Sequence, residues 1–260
     1  EFRRVLFRSV NNLKMIYHTI NGETEAIKDI NFSVLEGEIL GIVGPSGCGK
    51  STLLSIIAGL ISPSSGEVFV NGKKVEKPSK DIGYMFQRDH LFEWRTILQN
   101  VLIGLEIMGK LDENSYKYAE NMLTTYGLED FKDMYPRQLS GGMRQRAALI
   151  RTLIVKPNLL LLDEPFSALD YQTRLAIADE IGIILKKEKK TALLVTHDIS
   201  EAISLSDRII ILSNRPATIK DIIEIKLNCP DGIRTPIKCR EAPEFRYYFN
   251  KIWKELDVHV

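Results

Sequence analysis

Long apolar runs are missing from this chain. No stretch approaches the ~18 consecutive apolar residues of a membrane-spanning helix, and the fullest candidate, Leu53 to Ile61, is apolar only in part. A secretory signal is missing too: the opening EFRRVLFRS, Glu1 to Ser9, is basic, but its apolar core is too short. An excess of one charge is missing: 35 Lys and Arg stand against 34 Asp and Glu. No overall field therefore calls for nucleic acid or a lipid surface. Cysteine is scarce. Three residues, Cys48, Cys229 and Cys239, are an odd number, and the spacing of the last two fits no common zinc pattern. Reduced thiols in a cytosolic chain are expected. These absences together predict a soluble protein that reaches any membrane only through a partner.

What is present begins with Gly44-Pro45-Ser46-Gly47-Cys48-Gly49-Lys50-Ser51, the pattern G-x-x-x-x-G-K-S. Its glycines let the backbone curl so that successive N–H groups face one anion. Lys50 can reach the β- and γ-phosphates of a nucleotide, and the Ser51 hydroxyl can ligate Mg²⁺. Ile39 to Val43 before it reads as a buried strand. Thr52 to Ala58 after it reads as a helix whose N-terminus adds its dipole to the site. Cys48, inside the loop, reads as a small neutral spacer.

Leu159-Leu160-Leu161-Leu162-Asp163-Glu164 is the second strong signal. It describes a buried parallel strand with carboxylates at its C-terminal end, the edge where open α/β sheets collect ligands. Asp163 is expected to hold Mg²⁺. Glu164, one step further out, is placed to take a proton from an attacking water. Thr191 to Thr196 is a further strand with His197-Asp198 at its tip, and a histidine on that edge is a plausible γ-phosphate contact. Arg208 to Leu212 is the last strand of this type.

Weaker signals lie between these. Tyr17 is an aromatic that can stack on a base or simply line a strand. Ile16 to Thr19 and Ala26 to Val34 read as antiparallel strands around the turn Asn21-Gly22-Glu23. Glu67 to Val70 and Asp81 to Phe86 read as further strands. Thr96 and Asp112 can cap two helices of an insertion spanning about residues 96–155. In Leu139-Ser140-Gly141-Gly142, Ser140 is a helix cap, and the glycines leave N–H groups open to an anion. Ser167 to Asp170 opens a helix reaching about Lys187. Residues 1–9 begin without Met and do not run on into the strand pattern that starts at Val10, and are expected to be a non-native or disordered leader. Residues 10–227 form the nucleotide-binding unit, and residues 228–260 a tail carrying a helix from Pro243 to Leu256. The fold class implied is α/β.

These residues resemble the nucleotide-binding subunit of ATP-binding cassette transporters. GPSGCGKST, Gln87, LSGGMRQR, LLLLDEP, SALD and His197 follow in that family's order and rough spacing, from about Val10 to Leu212. The resemblance implies a phosphate-loop core with a mostly parallel sheet, an antiparallel β subdomain and an inserted helical subdomain. It gives the adenine-stacking role to Tyr17 and MgATP binding to Gly44–Ser51 and Thr52. Mg²⁺ and water sensing falls to Gln87, and the switch role to His197. Ser140, Gly141 and Gly142 would contact the γ-phosphate held by a second copy, and Asp170 would stand in the loop crossing that interface. Met143 departs from the commonest signature, which has Gln there. The segments Leu91–Trp94, Leu212–Pro216 and Pro243–Phe245 resemble the nitrate, sulfonate and taurine importer branch. Implied partners are a second copy, membrane permease subunits and, indirectly, a substrate-binding protein, with no nucleic acid. The implied location is the cytoplasmic face of the membrane, held peripherally. A soluble cassette acting on ribosomes or DNA is the alternative. Such proteins usually carry two fused cassettes or a long coiled-coil insertion, and this chain has neither. Leu91, Phe92 and Trp94, rimmed by charge, are either a partner contact or local core.

Overall fold

The computed structural model describes residues 6–20, 22–167, 169–229, 234 and 236–256. Two sheets organise it. The first is antiparallel, in the order β2-β1-β4-β5, from β1 (Leu6–Thr19), β2 (Gly22–Leu35), β4 (Ser65–Val70) and β5 (Lys73–Lys74). The second carries β3 (Ile39–Val43), β6 (Ile82–Met85), β7 (Leu159–Asp163), β8 (Thr191–Val195), β9 (Arg208–Leu212) and β10 (Ile219–Glu224). Its order is β10-β9-β3-β8-β7-β6. Every pair in it is parallel except β9 with β10.

The two sheets show their burial in their sequences. β3, β7 and β8 are buried at every position and read as unbroken apolar runs, as strands covered on both faces do. In β2, Ile30, Phe32 and Val34 point inward while their neighbours are exposed or half-buried, the alternation of a sheet with one covered face. Leu40, Ile42, Leu159, Leu161, Leu193 and Val195 join this inner face to the parallel sheet and to α1 (Lys50–Ile57).

Between β6 and β7 lie α2 (Ile97–Ile107), α3 (Glu113–Thr125) and α4 (Gly141–Leu153). Single-turn 3₁₀ segments at Glu129–Phe131 and Pro136–Gln138 connect α3 to α4. Thr96 with Gln99, and Asp112 with Ser115, close capping boxes at the starts of α2 and α3. The second core of the molecule runs from these helices to the parallel sheet and α5 (Tyr171–Lys187), which Asp170 caps through the Thr173 N–H. α6 (Ile199–Leu205), α7 (Pro236–Cys239) and α8 (Phe245–Glu255) complete the chain. Ile252 of α8 is fully buried against a cluster that includes Ile199, Ile203 and Ile223.

The structure departs from the sequence reading in places. Residues 6–9, assigned to a leader, are part of β1: Arg8 pairs with Val34 on one side and Val70 on the other. Arg8 is buried, its guanidinium donates to the Asn158 carbonyl, and burial lowers its pKa to about 9. A basic tripeptide context hid a strand that the sheet fixes by pairing. Residues 1–5 lie outside the described residues. The helix after the LSGG segment begins at Gly141, where Ser140 caps it directly as its position suggested. β10 was not anticipated: an edge strand alternating with Lys220, Asp221 and Glu224 has too little apolar signal. Cys229 and Cys239, a loose pair in sequence, have Sγ atoms 2.8 Å apart, and burial pushes the Cys239 thiol up to about 12. Among the described residues no helix is long and apolar enough to cross a membrane.

Candidate active site

The parallel sheet brings the strong sequence signals to one edge. β3 pairs with β8 and β8 with β7, in a register that sets Ile42 beside Val195 and Val195 beside Asp163. The loop after β3, the carboxylates after β7 and the histidine after β8 therefore emerge together, at the carboxyl ends of the strands.

The loop Gly44–Gly49 needs its glycines for two separate reasons. Gly49 has φ 128 and would bring a Cβ to 3.0 Å from the Ala26 carbonyl, so backbone shape and space both demand glycine. Lys50 is buried, and its ammonium donates to the carbonyls of Gly44 at 2.8 Å and Pro45 at 3.0 Å. The charge is thus held over the concave face of its own loop. Pro45 is half-buried while Ser46 and Gly47 are exposed, so the outer rim of the loop is open. Cys48 is buried and its thiol is pushed up by that burial, which keeps it neutral, as its reading as a spacer requires.

Ser51 Oγ lies 3.2 Å from Asp163 Oδ1, and Tyr84 donates to Asp163 Oδ2 at 3.2 Å. Asp163 is 7 % exposed. Burial raises its carboxyl above the ordinary range, against the lowering pull of the Ser51 and Tyr84 hydrogen bonds. A cation there would offset that cost. The Ser51 hydroxyl and the Asp163 carboxylate present the hard oxygens that Mg²⁺ selects.

Glu164 occupies the left-handed region at φ 46, uncommon for a side chain that is not glycine. Its N–H donates to the Val195 carbonyl at 2.8 Å, and its own carbonyl accepts from the Ser167 N–H at 3.1 Å. These bonds hold a strained turn that aims the carboxylate outward. Glu164 Oε2 is 3.1 Å from His197 Nδ1 and accepts from Gln87 Nε2 at 3.2 Å. Gln87 also donates to Ser167 Oγ at 3.2 Å. Glutamate, histidine and glutamine are so gathered around one carboxylate oxygen. Tyr17 is 38 % exposed on β1, and its hydroxyl meets Thr52 Oγ1 at 3.3 Å. The ring stands beside the start of α1 with its aromatic body still available.

Ser140, Gly141 and Gly142 are placed differently. Ser140 is exposed, and its Oγ accepts from the Met143 N–H at 3.3 Å. Gly142 is buried, and a Cβ there would stand 3.0 Å from Thr173 Cγ2 and 3.3 Å from Ile177. Packing of α4 on α5 therefore demands that glycine. Asp170 is exposed, and its carboxyl is held below the usual range by its hydrogen bonds to Thr173. No hydrogen bond among the described residues joins Ser140–Gly142 to Gly44–Ser51 or to Glu164.

Two contributors escaped the sequence reading. Tyr84 was assigned only to a strand, and the register opposite Leu161 is what turns it toward Asp163. Arg215 donates from both Nε, at 3.1 Å, and Nη2, at 2.6 Å, to the Gly47 carbonyl. Neither contact has a local sequence signal, since each spans more than seventy residues.

Comparison with known proteins identifies the family. Residues 27–167 match the ABC transporter family. An uncharacterized ABC transporter ATP-binding protein of Bacillus subtilis, YtlC, is 49% identical over 251 residues, covering 96% of each chain. The nitrate import ATP-binding protein NrtD of Synechocystis sp. is 40% identical over 247 residues, 94% of this chain and 92% of its own. Among solved structures, the dimeric post-hydrolysis state of the ATP-binding cassette MJ0796 bound to ADP and Pi superposes with a TM-score of 0.73. It is 32% identical, and the match covers 84% of this chain and 99% of that one. The chain therefore belongs to the ABC transporter family as one of its ATP-binding subunits, an α/β phosphate-loop ATPase.

Proposed function

We propose that this subunit powers uptake of a small anion of the nitrate, sulfonate or taurine type, hydrolysing MgATP between two copies of the chain. Residues 10–227 act as the cassette, 96–155 as its helical subdomain, and 228–260 as a tail. It would sit peripherally on the cytoplasmic face of the membrane, against separate permease subunits supplied by a substrate-binding protein.

Each residue has a role in this reading. The loop Gly44–Ser51 and Thr52 bind the phosphates, with Lys50 as the point charge between the β- and γ-groups. Tyr17 stacks on adenine. Ser51, Asp163 and Gln87 would hold Mg²⁺, which supplies charge neutralisation on the phosphate oxygens. Glu164 accepts a proton from the attacking water, while His197 contacts the γ-phosphate and Gln87 senses Mg²⁺ and that water. Ser140, Gly141 and Gly142 close over the partner's nucleotide, and Asp170 lies in the crossing loop. The single observation that carries this is the gathering of Gln87 and His197 on one oxygen of Glu164, beside Ser51 and Asp163.

The importer half rests on Leu91–Trp94. Leu91 is buried, Phe92 half-buried and Trp94 73 % exposed. Asn100, fully buried, accepts from the Phe92 N–H and donates to the carbonyls of Phe92, Arg95 and Thr96. An exposed tryptophan on a loop pinned this firmly is a preorganised protein contact. Affinity capture of the chain from solubilised membranes is expected to bring down hydrophobic membrane subunits. Capture with ribosomes and without membrane subunits would favour the non-transport reading instead.

A further inference from the structure

A cleft of ≈ 680 Å³ lies between α8 and the starts of α5 and α6. Its chemistry is uneven. One wall is aromatic: Phe245, Phe249 and Trp253 follow at helical spacing, with ring centroids 6.5 Å and 6.0 Å apart in stacked pairs. The other is cationic. Arg240 lies over the Tyr171 ring, 5.6 Å from its centroid, and donates to the Tyr171 hydroxyl. Neither Arg240 nor Arg246 has a carboxylate within ion-pair distance among the described residues. Arg174 meets Asp198 only at 3.9 Å, and its Nε is buried with no hydrogen-bond partner. Asp198, the one acidic residue of the lining, is already engaged by the N–H groups of Ser200 and Glu201. Arg174 also donates to the Leu169 carbonyl at 3.1 Å, so the guanidinium groups that the cleft offers beside its apolar wall without a carboxylate partner are those of Arg240 and Arg246. That combination suits a ligand with an anionic head and an apolar body.

The cleft also touches the reaction centre. His197, with a side chain 56% exposed, lines it and bonds Glu164 through Nδ1. We propose that this cleft binds a small organic anion, a carboxylate or sulfonate on an apolar body, and that occupancy slows ATP hydrolysis by restraining His197. The coupling half rests on the role proposed above for Glu164, whereas binding does not.

Trp253 supplies a direct reading, because the chain has only two tryptophans and Trp94→Phe leaves Trp253 alone. In that background hexanesulfonate is expected to quench fluorescence saturably, with hexanol and inorganic sulfate each weaker by about tenfold or more. Arg246→Gln, on the exposed side of α8, is expected to weaken hexanesulfonate by a similar factor with unchanged far-UV circular dichroism. Arg240→Gln is the second variant. Saturating hexanesulfonate is expected to slow ATPase turnover of the otherwise unaltered chain and to leave that of Arg246→Gln untouched at the same concentration. Equal quenching by hexanol, or parental affinity in both arginine variants, would overturn the site. Saturable binding with unchanged turnover would overturn the coupling alone, and loss of turnover in Glu164→Gln without any ligand tests the catalytic reading separately.

Discussion

The chain has two glycine-rich helix starts, Gly44–Lys50 and Ser140–Gly142, and they are finished to different degrees. The first is wired into its surroundings. Lys50 is bonded to its own loop, Ser51 to Asp163, and Arg215 to Gly47. The Glu164 carboxylate, proposed to take a proton from the attacking water, stands at the same sheet edge. The second is capped and packed, yet its exposed Ser140 has only Met143 as a partner. In the reading proposed above, the two starts are the two halves of one composite site, and the second half is completed by another copy of the chain. A two-fold dimer would supply it, because the same pair of surfaces then meets twice.

The largest effect should come from the finished half. Lys50→Ala removes a buried ammonium that no neighbour replaces. ATP binding or turnover is expected to be abolished, read by nucleotide binding and phosphate release. Parental hydrolysis in the purified variant would break the comparison at its stronger end.

Next comes Glu164→Gln, which keeps shape and removes the proton acceptor. Turnover is expected to fall by ~10²-fold or more while ATP affinity is kept. This variant also tests the unfinished half. With MgATP it should sediment as a dimer, and adding Ser140→Ala should weaken that dimer without weakening nucleotide binding by the monomer. A monomer at concentrations well above the ATP dissociation constant would mean that Ser140–Gly142 has no phosphate to meet.

The same contrast marks what the amino-acid order could show. Gly44–Ser51 and Leu159–Glu164 were legible because motif, strand and helix are contiguous, so local chemistry and position coincide. Thr96, Asp112 and Ser140 were legible as caps for the same reason. Tyr84 and Arg215 were not, because their partners are set by strand register and by a loop returning from β9. Arg8 was misjudged because burial of an arginine depends on which carbonyl the fold brings to it, here Asn158. Gly142 was read for its N–H group. Its packing against Thr173 and Ile177 became visible only with α5 in place.

Trp94→Ala separates the ATPase from its partner. Leu91 is local core, while Trp94 stands out against Phe92 with ring centroids 5.0 Å apart. The variant is expected to keep the ATPase rate of the isolated subunit and to lose ~2 kcal/mol of permease affinity, as aromatic anchors do. A pull-down beside an ATPase assay measures both. Normal assembly and transport with Phe92→Ala and Trp94→Ala alike would sink the idea, and an unfolded variant would assign the loop to the core.

The smallest effect concerns how far the wiring of the finished half reaches behind the sheet edge. Glu201 is buried beneath the tip of β8 and accepts a hydrogen bond from Thr196, the residue before His197. Burial lifts its pKa from 4.5 to about 8, opposed by the Thr196 bond, with Asp198 and Glu164 raising it further and Arg174 lowering it. The folded chain therefore holds a proton that the unfolded chain has released. The stability this proton contributes is complete below the unfolded value, falls as pH rises, and is gone above about 8. Glu201→Gln keeps an oxygen for Thr196 and removes the titration. Its Tm relative to the parent should improve steadily from about pH 5 to about pH 8 and level off above it, by ~2–4 °C for each kcal/mol relieved. A Tm difference that stays constant across that range would show that Glu201 is ionised in the folded chain, and that the strand tip carrying His197 is supported by charge rather than by a shared proton.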